Sequence, residues 1–322
     1  MSLKKPFKLL ATIALILLPI VGFLQRQEIF DWMRLRNYQP PFAVVKLAND
    51  TTMNDDMRRL FYVYRPSIED KATFNKSCRD NEQTIVLGCY VDRVSIHLLD
   101  VTDSRLAGVE EVTAAHESLH AAYNRLSGAE RKNVDRMTSA AFAGLTNERI
   151  KNTIELYRKQ NPSIVPNELH SILGTEVRNL PIELENYYKR YFTNRSVIVA
   201  FSEQYEQAFT DRKNQIKAYD AELASLKSQI EILQADLDQL ATSLSTQRAS
   251  LDGLRSAGNI PEYNSGVENY NRDVVVYNNK VDRLTSLVAK FNGIVPIRND
   301  IASEEQELVK AIDSRETVPA RR

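Results

Sequence analysis

The sequence predicts a mainly α-helical protein of the α+β class, in which a small β-hairpin leads into a helical domain and an antiparallel coiled-coil hairpin follows. Three observations carry that prediction. Residues 109–126 hold Val109, Val112, His116, Leu119, Tyr123 and Leu126 at three- and four-residue steps, the spacing of one helix face. Ahead of them, 93–99 alternates Val94, Ile96 and Leu98 with Ser95, His97 and Leu99, the period of a strand. Behind them, two long apolar seams repeat with the rhythm of a coiled coil.

Taken in chain order, the first element is an apolar run at 9–24, interrupted only by Thr12, preceded by Lys4 and Lys5 and closed by Arg26. Such a run with basic residues on its leading side predicts an uncleaved signal anchor over 1–26, a single-pass transmembrane helix with the chain from Gln25 onward extracytoplasmic. Residues 42–47 then read as a strand and 53–64 as a short helix. A hairpin is expected from strands at 84–90 and 93–99. Cys78 and Cys89 are the only two cysteines, and an even count in an exported chain predicts one disulfide. After 109–126 comes a stop at Ser127-Gly128, and helices are expected at 129–145, 148–160, 167–180 and from 182 onward. Pro166 opens the helix at 167–180 and Pro181 closes it.

The chemistry is concentrated at His116, Glu117 and His120, the pattern H-E-x-x-H within the helix expected at 109–126. Residues four apart stack on one helix face, so the two imidazoles converge on one metal ion while the Glu between them reaches a water that the ion holds. A catalytic zinc takes three protein ligands and keeps a fourth position open. No third histidine follows within the same motif, which excludes the metzincin pattern. In the gluzincin pattern, which the motif resembles, the third ligand is a Glu from a later helix, and 167–180 is such a helix. There Glu176 lies among Leu169, Ile172, Leu173 and Leu180 on the apolar face, and a carboxylate on a buried face needs a partner or a metal. Glu176 is the preferred ligand on that ground, with Glu168 as its rival.

These residues resemble the gluzincin metallopeptidases, over about 94–180 of the chain. The run Asn167-Glu168-Leu169-His170-Ser171 is similar to the N-E-x-x-S-D motif of thermolysin-like enzymes, except that Ile172 stands in place of the Asp. The resemblance implies a zincin-like helical catalytic domain, a Zn2+ cofactor bound by His116, His120 and Glu176 or Glu168, and hydrolysis of peptide bonds in extracytoplasmic proteins or peptides. Glu117 would be the general base. It also implies an oxyanion-stabilising side chain, for which Tyr123, Arg178, Tyr187 and Tyr188 are the nearest in sequence. His97, on a strand before the motif, is left out of the metal set.

The first coiled-coil seam runs from Ile216 through Leu226, Leu233 and Leu240 to Leu254, with Gln247 at one seam position. A breaker at 252–261 separates it from a second seam running from Val267 to Phe291. The domain organisation expected is an anchor at 1–26, a metallopeptidase domain at 27–200, a helical hairpin at 201–295, and a last helix and tail at 296–322. The hairpin could dimerise the chain or bind a protein partner. With 42 basic and 42 acidic residues the chain has no net charge, which gives no support to a nucleic-acid partner. The alternative from another class is a noncatalytic, membrane-anchored coiled-coil scaffold whose zinc site is structural or a relic.

Overall fold

The computed structural model describes residues 25–78 and 86–314. The protein is mainly α, with one small sheet. Its helices are α1 (Arg26–Leu35), α2 (Phe42–Asp50), α3 (Asp55–Val63), α4 (Lys71–Ser77), α5 (Val109–Arg125), α6 (Gly128–Ala143), α7 (Glu148–Gln160), α8 (Val165–Glu176), α9 (Ile182–Tyr188), α10 (Arg195–Ser256) and α11 (Ile260–Ile312). Strands β1 (Ser67–Glu69), β2 (Gly88–Val91) and β3 (Ser95–Leu99) form a sheet in the order β1-β3-β2. The described residues divide into two compact units, one within 25–208 together with 308–314 and one of 209–307.

In the first unit the expected hairpin is present, β2 antiparallel to β3 with Gly88 opposite Leu98 and Tyr90 opposite Ile96. The strand β1, for which no expectation was drawn, adds to β3 in parallel. Ile96 and Leu98 point into the core, while Ser95 and His97 face the other way. There His97 bonds Glu69 on one ring nitrogen at 2.7 Å and Ser95 on the other at 2.7 Å. His97 is thus a satisfied sheet histidine, apart from the metal motif. Cys78, at the end of α4, is disulfide-bonded to Cys89 in β2, as the cysteine count predicted.

Residues 42–47, expected as a strand, are helical. Their β-branched Val44 and Val45 suggested extension, but Val44, Leu47 and Ala48 are the buried positions, at helical steps, and α2 starts directly after Pro41. Burial against α5 overrides local strand preference. The helix α8 differs as well. It stops at Glu176, so Leu180 is not part of it, and it is buried on nearly all sides, from Leu169 to Thr175 without interruption. It packs on α5, α6 and α7. Buried Arg195 secures its exit, donating to the carbonyls of Val177 at 2.6 Å and Arg178 at 2.9 Å while pairing with Glu185 at 2.6 Å.

The single-pass anchor is corrected. Among the described residues no helix is long and apolar enough to cross a membrane, and the run at 9–24 on which the signal anchor rested lies outside them. The helix nearest that run, α1, carries Arg26, Glu28, Asp31 and Arg34, and its buried residue is Asp31. Asp31 accepts two hydrogen bonds from Arg125 at 2.7 and 2.8 Å, which ties α1 to the end of α5. No described helix supports the transmembrane segment or the extracytoplasmic placement expected from it.

In the second unit the long arms of α10 and α11 are antiparallel, since cross-arm partners rise along one arm as they fall along the other. Asp220 pairs with Arg298, Asp236 with Lys280, and Gln247 with Asp273. Leu226, Leu233 and Leu237 are buried on the seam, and Gln247, the polar interruption, donates to Asp273 at 2.6 Å. The separate last helix expected near 301–312 is instead the continuation of α11, which passes through Pro296 without a break.

Candidate metal site and cleft

Helix α5 starts behind Gly108, whose positive φ of 100° and close neighbour, the Phe201 carbonyl, suit only a glycine. Its first turn carries Glu110 and Glu111, where the exposed N–H groups favour carboxylates. One face then presents Thr113 and Glu117 to β2, and the adjoining face presents His116 and His120 to α8. Glu117 and His120 are buried.

The third member of the cluster is Glu168. Its carboxylate oxygens lie 3.7 Å from His116 Nε2 and 3.6 Å from His120 Nε2, and the ligand atoms of the three residues all fall within 4.8 Å of one another. The imidazoles cross at 79° with centroids 4.7 Å apart, and both Nε2 atoms lie within 4 Å of the one carboxylate. Tetrahedral donors with bonds of about 2.0–2.2 Å would stand roughly 3.3–3.6 Å apart, close to the two His–Glu separations. The residues fit a small divalent ion. Burial would raise the Glu168 carboxyl, but His120 and His116 outweigh it and hold it below its ordinary value. Ser171, one turn along α8, shares a hydrogen bond with His120 Nδ1 at 3.2 Å. That contact fixes the ring and leaves Nε2 free to ligate.

Glu176, the preferred third ligand from sequence, is not in the cluster. It closes α8, where the carbonyl end of the helix disfavours an anion, and its carboxylate accepts from Arg149 at 2.6 Å. Arg149 also pairs with Glu206, and these two carboxylates outweigh burial to raise the guanidinium above its ordinary value. The carboxylate of Glu176 is compensated by this guanidinium. Glu168, its rival, and Ser171 are turned against α5.

A cleft of about 360 Å³ opens at the cluster, lined by β2, by Thr113, His116, Glu117 and His120 of α5, and by Asn167 and Glu168 of α8. Glu176 and Tyr205 line it as well. Of the residues named as oxyanion stabilisers none lines it: Tyr123 donates to Asp135, Arg178 pairs with Glu203, Tyr187 bonds His170 and Tyr191, and Tyr188 donates to the His170 carbonyl. The cleft's own phenols are Tyr90, Tyr157 and Tyr205, which no sequence spacing connects to the motif. Also on α8, His170 is wholly buried among Tyr123, Tyr187, Tyr188 and Tyr191, and burial, with the nearby His120 and His116, pushes its pKa down to about 3, so it is a neutral core imidazole. What the described residues assemble is a His/His/Glu triad that can hold a metal ion, with a carboxylate beside it in a cleft. Compared with known proteins, the chain matches no family model, no curated protein and no solved structure.

Proposed function

We propose that this protein is a zinc-dependent peptidase of gluzincin type, with a zincin-like catalytic unit that hydrolyses peptide bonds of proteins or peptides. The observation that carries the reading is the convergence of His116, His120 and Glu168 from two helices beside the buried carboxylate of Glu117. Two neutral imidazoles and one carboxylate are the donor set of a hydrolytic zinc site. Zinc, when bound, supplies a Lewis acid that polarises a carbonyl and makes water acidic near neutral pH.

The chain's residues do the rest. His116 and His120 bind through Nε2, Glu168 supplies the anionic donor, and Ser171 holds the His120 ring. Glu117 is kept out of the donor set and on the cleft wall, where its carboxylate takes a proton from the attacking water and returns it to the departing nitrogen. A purely structural zinc site has no use for such a base in an open cleft.

The test is zinc content together with cleavage of an unfolded protein by wild type, Glu117→Gln and Glu168→Gln. Expected are stoichiometric zinc and cleavage in wild type, zinc without cleavage in Glu117→Gln, and neither in Glu168→Gln. A folded wild-type protein that takes up no zinc, or undiminished cleavage by Glu117→Gln, would refute the reading.

A further inference from the structure

One position on the cleft wall is constrained in a way that no metal ligand explains. Gly88, the first residue of β2, is buried, and its backbone lies directly against the α5 face that carries Thr113 and Glu117. A Cβ there would stand 2.5 Å from Thr113 Cγ2, 2.9 Å from Glu117 Cγ and 3.2 Å from Glu117 Oε1. Two of these distances are shorter than carbon atoms tolerate, so something must move.

The surroundings decide what moves. The strand cannot retreat easily, because Gly88 is paired with Leu98 of β3 and its neighbour Cys89 is disulfide-bonded to Cys78. Thr113 is held in its rotamer by a 2.7 Å hydrogen bond from its hydroxyl to the Val109 carbonyl, which leaves Cγ2 toward the strand. The Glu117 side chain is unbranched and has several side-chain torsions through which a contact at its Cγ can be relieved. An added methyl at 88 is therefore relieved chiefly by rotation of Glu117.

We propose that Gly88 is a positioning residue for Glu117. By lacking a side chain it lets the strand backbone act as the wall that holds this carboxylate at the metal cluster. The proposal rests on the peptidase reading for its functional consequence, though not for its geometry. Gly88 itself contributes no group to the chemistry.

The experiment compares metal-loaded wild type, Gly88→Ala and Gly88→Ala/Thr113→Ser by crystallography, zinc affinity, thermal melting and steady-state cleavage, with Glu117→Gln as control. The second substitution removes Cγ2 and keeps the hydroxyl, so it relieves the packing clash but not the contact with Glu117. In Gly88→Ala the Glu117 carboxylate is expected to shift by about 1 Å with His116, His120 and Glu168 unmoved, zinc affinity unchanged, and kcat lowered about 100-fold. The double variant is expected to regain the melting temperature but not kcat. It also carries the test should Gly88→Ala alone prove too unstable. Full recovery of kcat along with stability would reduce Gly88 to a packing role and overturn the proposal. So would an unmoved Glu117 in the Gly88→Ala crystal. Absence of cleavage in wild type would instead count against the peptidase reading, while the crystallographic comparison would still decide the positioning.

Discussion

The two ends of α8 carry one glutamate each, and their side chains are equally exposed, at 12 %. Glu168 sits in the first turn, where unpaired N–H groups favour a carboxylate, and faces two imidazoles. Glu176 is the last residue, where the helix carbonyls disfavour one, and is held by a guanidinium. Burial alone therefore says that a carboxylate needs compensation and not what supplies it. A guanidinium, permanently charged and without a lone pair to give, makes a strut, whereas imidazoles beside a carboxylate offer lone pairs that can share a metal ion with it.

The comparison can be broken by substitution at either end. The largest effect is expected for Glu168→Gln, which should weaken zinc binding by more than the roughly 100-fold that supporting residues cost, read by competition with a chelating dye. Wild-type affinity in that variant would erase the distinction between the two ends. Glu176→Gln should leave zinc affinity as it is and lower stability by about 1–3 kcal/mol in denaturant unfolding, because Arg149 loses one of two charged partners. Loss of zinc there would mean that the strut is part of the site. The smallest effect belongs to Ser171→Ala, which frees the His120 ring and should cost about tenfold in zinc affinity with little change in melting temperature. An unchanged affinity would show that helix packing alone orients the ring.

Much of this arrangement is legible in the sequence. The H-E-x-x-H spacing located His116, Glu117 and His120, and apolar alternation located β3, because those signals are local and periodic, while its hairpin partner runs over Gly88–Val91 instead of the expected 84–90. The paired seams located both arms of the second unit, down to the polar position that Gln247 fills. What the sequence hid depends on long-range packing. The residues 42–47 carry a strand-like run of valines that becomes a helix only because α5 covers it. Glu168 ranks behind Glu176 in the sequence because one apolar stripe reads as the buried face, while α8 is enclosed on nearly every side. The nearly matching run from Asn167 to Ser171 was the available signal for Glu168, and three-residue spacing to Ser171 was the one for its supporting contact. Gly88 was unreadable in advance, since its requirement comes from a helix that lies later in the chain.

The donors come from helices far apart in sequence, His120 on α5 and Glu168 on α8, with all of α6 and α7 between them. An ion seated there is a removable cross-link that closes a loop of roughly 50 residues. Chelation would therefore do more than silence a cleft: it would return that loop's freedom to the chain, and amide exchange across α6 and α7 would quicken together. Cofactor and clasp would be one object, with the protein's resistance to unfolding rising as RT ln(1 + [M]/Kd) with the free metal concentration.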